Sequence, residues 1–204
     1  MKIVVVGGQA RKVGKTSVIA GLIRGLNRLA WTAVKISYHE GNGKSQDTSS
    51  PDDLPPHLNF LLSEESDPSG HGDTSRFLAA GARRALWLRA REGRLPEALP
   101  GLLEALASDE HVIIESNSIL AFLKPTFFLL VIGEPGLDLK ASARQFLPQV
   151  DALVRVEPEL KAGVWPGISL PTLEDKPVFL VPVGEWSNPA LCGFVGERLA
   201  LAGD

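Results

Sequence analysis

The 204-residue chain has one cysteine, Cys192, so no disulfide can form within it. At this length a single domain buries enough apolar surface to do without one. That cysteine usage suits a reducing compartment, and the expectation is a cytoplasmic protein. Histidine is scarce as well. His39, His57, His71 and His111 stand apart and give no zinc-like ligand spacing. No apolar run is long enough to span a bilayer, and with the first strand starting at Lys2 no signal peptide is expected. No excess of positive charge is present either. A net charge of −3 and a pI of about 5.8 give no footprint for nucleic acid. Trp31, Trp87, Trp165 and Trp186 show no stacking pattern and read as packing residues. Internal repeats are absent.

What the chain does have is concentrated at its start, MKIVVVGGQARKVGKTSVIAGLIR. Lys2 to Val6 is a continuous β-branched run, the pattern of a strand buried on both faces. Gly7 and Gly8 open a polar loop that closes on Gly14-Lys15-Thr16-Ser17. Val18, Ile19, Leu22, Ile23 and Leu26 then recur at helical spacing, which predicts a helix from Lys15 to Leu29. Strand, glycine loop and helix in this order make a phosphate-binding loop, the Walker A pattern. Its backbone N–H groups and the helix dipole converge on one anion site. Gly8, Lys12, Val13, Gly14, Lys15, Thr16 and Ser17 are the expected nucleotide contacts. Lys15 would reach the outer phosphates, and the Thr16 hydroxyl would ligate Mg²⁺. The loop is one residue longer than the usual pattern, which would need glycine where Gln9 stands. Arg11 and Lys12 are two further cations that could meet phosphate.

Thr32 to Tyr38 reads as a second strand, parallel to the first through a right-handed crossover. Gly41 to Asp53 is polar and long for a loop. With Glu64 to Asp73 it frames a mobile insertion expected over residues 41–72, broken by a short strand at Leu58 to Leu62. Asp73 or Thr74 can cap a short helix that Gly81 ends. Ala85 to Arg89 fits either a strand or more of that helix, and strand is preferred. Pro96 to Leu106 is helical by its leucine spacing, with Pro100 placed near the first turn. His111 to Glu115 is an apolar strand ending on a carboxylate, the Walker B pattern, so Glu115 is a candidate for Mg²⁺, directly or through water. Strands at Thr126 to Ile132, Ala152 to Val156 and Val178 to Val181, with helices at Leu139 to Leu147 and Asn188 to Ala202, complete the alternation. Glu157 to Lys176 reads as a surface excursion. The expected fold is one α/β domain over residues 1–204, a P-loop NTPase with a mostly parallel sheet and helices on both faces.

Lys35 fits a phosphate contact or a surface lysine, and His39 a ligand contact or a solvated turn residue. Asp73 fits a carboxylate brought to Mg²⁺ or water, or a helix cap. Arg76, one turn on, fits a phosphate contact or a surface arginine. Lys15, Asp73 and Glu115 form the candidate catalytic set, with Thr16 and Glu115 on the metal.

Gly14-Lys15-Thr16, Lys35 with His39, Asp73-Thr74-Ser75-Arg76 before Ala80-Gly81-Ala82, and Glu115 together resemble a known pattern. It is that of the P-loop GTPase class that includes signal-recognition and metallocentre-assembly proteins and dethiobiotin synthetase. Within the class the chain is most similar to the molybdopterin-guanine dinucleotide biosynthesis adaptor protein B family, over roughly residues 1–135. The resemblance implies GTP binding, slow hydrolysis with Mg²⁺, dimerisation, and a helper role in molybdenum cofactor biosynthesis. Departures are the longer phosphate loop, Ser116-Asn117 where the family tends to have glycine, and the lack of an Asn-Lys-x-Asp string to choose GTP over ATP. Three functions follow from this reading: an accessory protein with a protein partner, an ATP-dependent ligase or kinase with a small-molecule acceptor, or a P-loop protein that binds without turnover.

Overall fold

The β-branched run forms the first strand, β1 (Lys2–Gly8), buried from Ile3 onward. The structure is a computed structural model and describes residues 1–39, 54–133, 139–157, 175–182, 184 and 188–201. After β1 come α1 (Lys15–Gly25), β2 (Thr32–His39), β3 (Phe60–Glu64), α2 (Asp73–Ala79), β4 (Arg84–Arg91), α3 (Leu95–Leu106) and β5 (His111–Glu115). Then follow β6 (Phe127–Ile132), α4 (Ala141–Gln145), β7 (Ala152–Glu157), β8 (Val178–Pro182) and α5 (Pro189–Leu201).

The strands form one eight-stranded sheet in the order β3-β4-β2-β5-β1-β6-β7-β8. All neighbouring pairs are parallel except β3 with β4. Successive side chains of β1 turn to opposite faces, as a pleated strand requires. Val4 and Val6 join Ile19, Leu22, Phe77 and Leu129 in the core beside α1, α2 and α5. Ile3 and Val5 join Leu88, Leu102, Ile114 and Phe128 in the core beside α3 and α4. With both faces covered, the central strands carry consecutive apolar residues through their middles, which is why β1, β5 and β6 stand out in the sequence.

The chain runs outward from β1 to β2 and β4, then returns to place β5 between β2 and β1, with β6 on the far side of β1. That reversal opens a crevice at the carboxyl ends of β1 and β5, the place where open α/β sheets bind ligands.

Several expectations need correction. The first helix ends at Gly25, short of Leu29, and Asn27–Leu29 forms a 3-10 turn instead. Glycine and asparagine are weak helix formers, and the Trp31 indole donates to the carbonyl of Leu26 at 3.1 Å, satisfying an end the helix leaves open. Pro100 lies inside α3, and it is Pro96 that occupies the first turn. The helix near Leu139 to Leu147 is reduced to α4 and a 3-10 turn at Leu147–Gln149. The short strand near Leu58 to Leu62 is β3, two residues later and antiparallel. The ambiguous segment after Gly81 is strand β4, paired with β2 from Thr32↔Arg84 to His39↔Arg91. Gly81 adopts φ 102°, a left-handed conformation that ends α2 as expected. Residues 41–53 of the expected insertion, and residues 158–174 of the expected excursion with Trp165, lie outside the described residues, as does Trp186.

Candidate nucleotide and metal site

The phosphate loop leaves β1 under tight steric control. A Cβ at Gly7 would overlap Asn117 Oδ1 and come within 2.6 Å of the Phe128 ring, and one at Gly8 would come within 2.7 Å of Lys15 Cδ. Gly14, just before α1, sits at φ 93°, where a Cβ is strained. Gln9, which stands where a standard loop would carry glycine, is buried. Its N–H donates to Val131 at 2.9 Å, its carbonyl accepts from Lys140 N–H at 2.9 Å, and its side-chain oxygen accepts from Gly133 N–H at 3.2 Å. The extra residue therefore stays at the end of the sheet, and the loop itself starts after it. Val13 turns its side chain into the core beside α1, leaving only its main chain for a ligand.

Around the loop lies a cavity of about 710 Å³ that includes Gly8, Lys12, Gly14, Lys15, Thr16 and Ser17 in its wall. Arg11, Lys35, Asp73, Arg76, Glu115 and Lys140 bring their charges to the same wall. Cations outnumber carboxylates there, which suits a polyanion.

Glu115 is the hub. It is 2% exposed, at the carboxyl end of β5, in register with Val6 of β1 and Lys35 of β2. Its Oε2 accepts from Thr16 Oγ1 at 2.9 Å, and its Oε1 lies 2.7 Å from Lys35 Nζ and 3.7 Å from Lys15 Nζ. Asp73 arrives from the first turn of α2 and sets Oδ2 2.7 Å from the same Lys35 Nζ. The cap of α2 is Gly72, with no side-chain cap bond, so Asp73 does not cap the helix and turns to the site instead. Arg76 donates to Ser17 Oγ at 2.7 Å.

The two lysines at the hub differ electrostatically. Burial holds Lys15 below its ordinary pKa, and Glu115 offsets this only in part. Burial acts on Lys35 as well, but Glu115 and Asp73 outweigh it and raise the pKa. Asp73 is the mirror case: burial favours its neutral form, yet the hydrogen bond and charge of Lys35 prevail and hold its pKa below the usual aspartate value. Lys140 is depressed by burial and by the positive charges of Lys15, Arg11 and Lys35.

The donor set fits Mg²⁺. A hydroxyl and two carboxylates are hard oxygen ligands, and Mg²⁺ is commonly held by one or two carboxylates with water and phosphate completing the shell. Thr16, Glu115 and Asp73 supply those oxygens within one cluster. With two carboxylates it leaves most of the shell to phosphate and water, and among the described residues no grouping of three or more histidine, cysteine or acidic side chains is placed to hold a metal.

His39 ends β2 outside the cavity wall, and His71 lies beyond Asp73 in a neighbouring cavity of about 770 Å³. Trp31 is buried with its ring against His111, as a packing residue should be, whereas Trp87 donates to Ser37 Oγ at 2.8 Å and carries the Arg89 guanidinium over its ring. Two residues of the site escaped sequence reasoning. Asn117 accepts from Gly8 N–H at 2.8 Å and donates to Gly8 C=O at 3.0 Å, so its amide latches the phosphate loop to the end of β5. Its only signal in the sequence is its place two residues after Glu115. Lys140 had no signal, because nothing in its own segment marks a phosphate site.

A mostly parallel sheet with a strand–phosphate-loop–helix unit at its centre and an acidic strand end beside it has the P-loop NTPase fold. Two solved structures of that fold are similar to this chain. One is the "apo" form of LpxK from Aquifex aeolicus in complex with ATP, with a TM-score of 0.50 and 15% identity over 88% of this chain and 53% of that one. The other is HypB from Helicobacter pylori in complex with nickel, with a TM-score of 0.50 and 12% identity over 98% of this chain and 87% of that one. The chain thus spans about half the length of LpxK. No protein-family model and no curated protein sequence matches it. Among the described residues no helix is long and apolar enough to cross a membrane.

Proposed function

We propose that the protein is a Mg²⁺-dependent P-loop nucleoside triphosphatase with slow turnover. It would serve in the cytoplasm as an accessory protein for assembling a cofactor of the molybdopterin guanine dinucleotide type. One observation carries the nucleotide reading: Glu115, at the end of β5, meets Thr16 Oγ1 at 2.9 Å and Lys15 Nζ at 3.7 Å in the first turn of α1. The loop hydroxyl, the loop lysine and the acidic strand end therefore act on one point. A triphosphate in the cavity would lay its outer phosphates against Lys15, with Arg11, Lys12 and Lys140 adding positive charge along the wall. Thr16 and Glu115, with Asp73, would hold Mg²⁺, which when bound neutralises charge on the phosphate oxygens. Asp73 stands where it can orient water or an acceptor group. The cofactor-assembly part rests on the resemblance of the loop, Lys35 with His39, residues 73–76 and Glu115 to that adaptor family. A homodimer and a protein partner come with it.

A second reading, a small-molecule kinase or ligase, is favoured by one further feature. The cavity of about 770 Å³ beyond Asp73 shares Lys35 and Asp73 with the nucleotide cavity and has Glu65, His71 and Trp87 in its wall. An acceptor there would face the phosphates across those two side chains.

Titration of the protein with labelled GTP and ATP, with and without Mg²⁺, tests the first reading. Wild type should bind at least one nucleotide, and Lys15→Ala should weaken it by about tenfold or more, roughly 1.4 kcal/mol, without unfolding the chain. Equal affinity in both proteins would remove the phosphate-loop assignment. Turnover that responds to a protein partner supports the accessory role, and turnover that responds to a small acceptor supports the kinase or ligase.

A further inference from the structure

Lys35 belongs to β2, which is separated from β1 by β5, yet its ammonium ends among the oxygens a divalent cation would use. Nζ lies 2.7 Å from Glu115 Oε1 and 2.7 Å from Asp73 Oδ2, while Thr16 Oγ1 lies 2.9 Å from the other Glu115 oxygen. The other nearby cations stand further off, Lys15 at 3.7 Å from Glu115 and Arg76 at 4.0 Å from Asp73. We propose that Lys35 is a built-in counter-cation of the nucleotide-free site, holding the metal position between Glu115 and Asp73 until phosphates draw its ammonium away. The proposal rests on the Mg²⁺-nucleotide reading of this cavity.

Glu115 is almost fully buried, and a buried carboxylate with a second one nearby needs a compensating charge. Lys35 supplies it, with its ammonium 2.7 Å from an oxygen of each carboxylate. Next, an ammonium and a Mg²⁺ ion repel strongly in a site of reduced dielectric. Mg²⁺ also demands oxygens at about 2.0–2.1 Å in near-octahedral array, tighter than the present contacts. The two cations therefore exclude each other between these carboxylates. Finally, Lys35 lines the same cavity as the phosphate-loop cations. Its flexible stem gives the ammonium a phosphate to move to without a backbone change. Metal entry is then coupled to nucleotide entry, and the free protein is guarded against Mg²⁺ alone.

The test uses Mn²⁺ as the probe, with free ion counted by electron paramagnetic resonance in nucleotide-free protein. Lys35→Met keeps most of the side-chain length and removes the charge, and Lys35→Gln is the second variant if the first fails to fold. Thermal unfolding without metal checks both. Mn²⁺ affinity should rise by about tenfold or more over wild type. The gain should vanish when Glu115→Gln is added. Lys35→Arg, which keeps the charge, should stay at the wild-type level. Equal affinity in wild type and the neutral variants overturns the proposal, and so does a gain that survives Glu115→Gln. Labelled-nucleotide titration separates the two readings. Wild type that binds Mg²⁺-nucleotide while neutral variants show no gain sinks the counter-cation alone. A Mn²⁺ gain in a protein that binds no nucleotide sinks the nucleotide reading and the release by phosphate, and leaves only the exclusion of metal by Lys35.

Discussion

Asn117 offers a sharp test of how the phosphate loop is held. Its side chain makes two hydrogen bonds to one residue, accepting from Gly8 N–H at 2.8 Å and donating to Gly8 C=O at 3.0 Å. Asn117→Ala removes both. Each neutral bond contributes about 1 kcal/mol net, so the variant should lose about 2 kcal/mol. In a chain of this length that lowers the unfolding midpoint by about 4–8 °C. Asn117→Asp is the informative companion, because it keeps the shape. One carboxylate oxygen can still accept from Gly8 N–H, but the other replaces the amide donor and faces the Gly8 carbonyl oxygen. The aspartate also adds negative charge to the wall of the phosphate cavity. It should therefore weaken nucleotide binding more than alanine does, although it keeps one of the two bonds. Urea unfolding and labelled-nucleotide titration read the two effects separately. An alanine variant within about 0.5 kcal/mol of wild type, the range of ordinary surface substitutions, would refute the latch. An aspartate variant that binds nucleotide better than alanine would refute the charge argument.

Glu115→Gln removes a charge and keeps the volume. It should spare nucleotide binding without Mg²⁺ while cutting Mg²⁺-dependent affinity or turnover by about tenfold or more; no change in either would leave Glu115 as a strand end only. Asp73→Asn tests the pair with Lys35 through pH. The folded pKa of Asp73 is lowered, so its contribution to stability is present above the ordinary aspartate range and lost as pH falls through the folded value. The variant should be less stable than wild type at pH 7, with the gap closing below about pH 4 in urea unfolding. A gap of equal size at both ends would show that Lys35 does not set it. If Asp73 also orients water, turnover should fall by more than about tenfold, about 1.4 kcal/mol in the barrier.

Much of the fold was legible because the signals are local. A parallel strand buried on both faces is apolar through its middle, so Lys2 to Val6, His111 to Glu115 and Thr126 to Ile132 were readable alone. The boundaries were less so. Gly25 and Asn27 mark the early end of α1, but the bond that makes it acceptable comes from Trp31, which helical periodicity ignores. The strand Arg84–Arg91 reads either way in isolation, and its pairing with β2 along its whole length decides it.

Sequence alone determined the strand, phosphate loop and helix, and the placing of a carboxylate at a strand end, because each depends on residues within a few positions of one another. It also carried Lys15, Thr16, Asp73 and Glu115 as candidates. Only the tertiary structure decided what these residues meet. Strand order puts β5 between β1 and β2, which brings Glu115 to Thr16 and Lys35 at once. The contact between Asn117 and Gly8 joins positions 109 residues apart. Side-chain chemistry declares what a residue can do, whereas its partners are set by how distant strands lie side by side, and no local pattern records that.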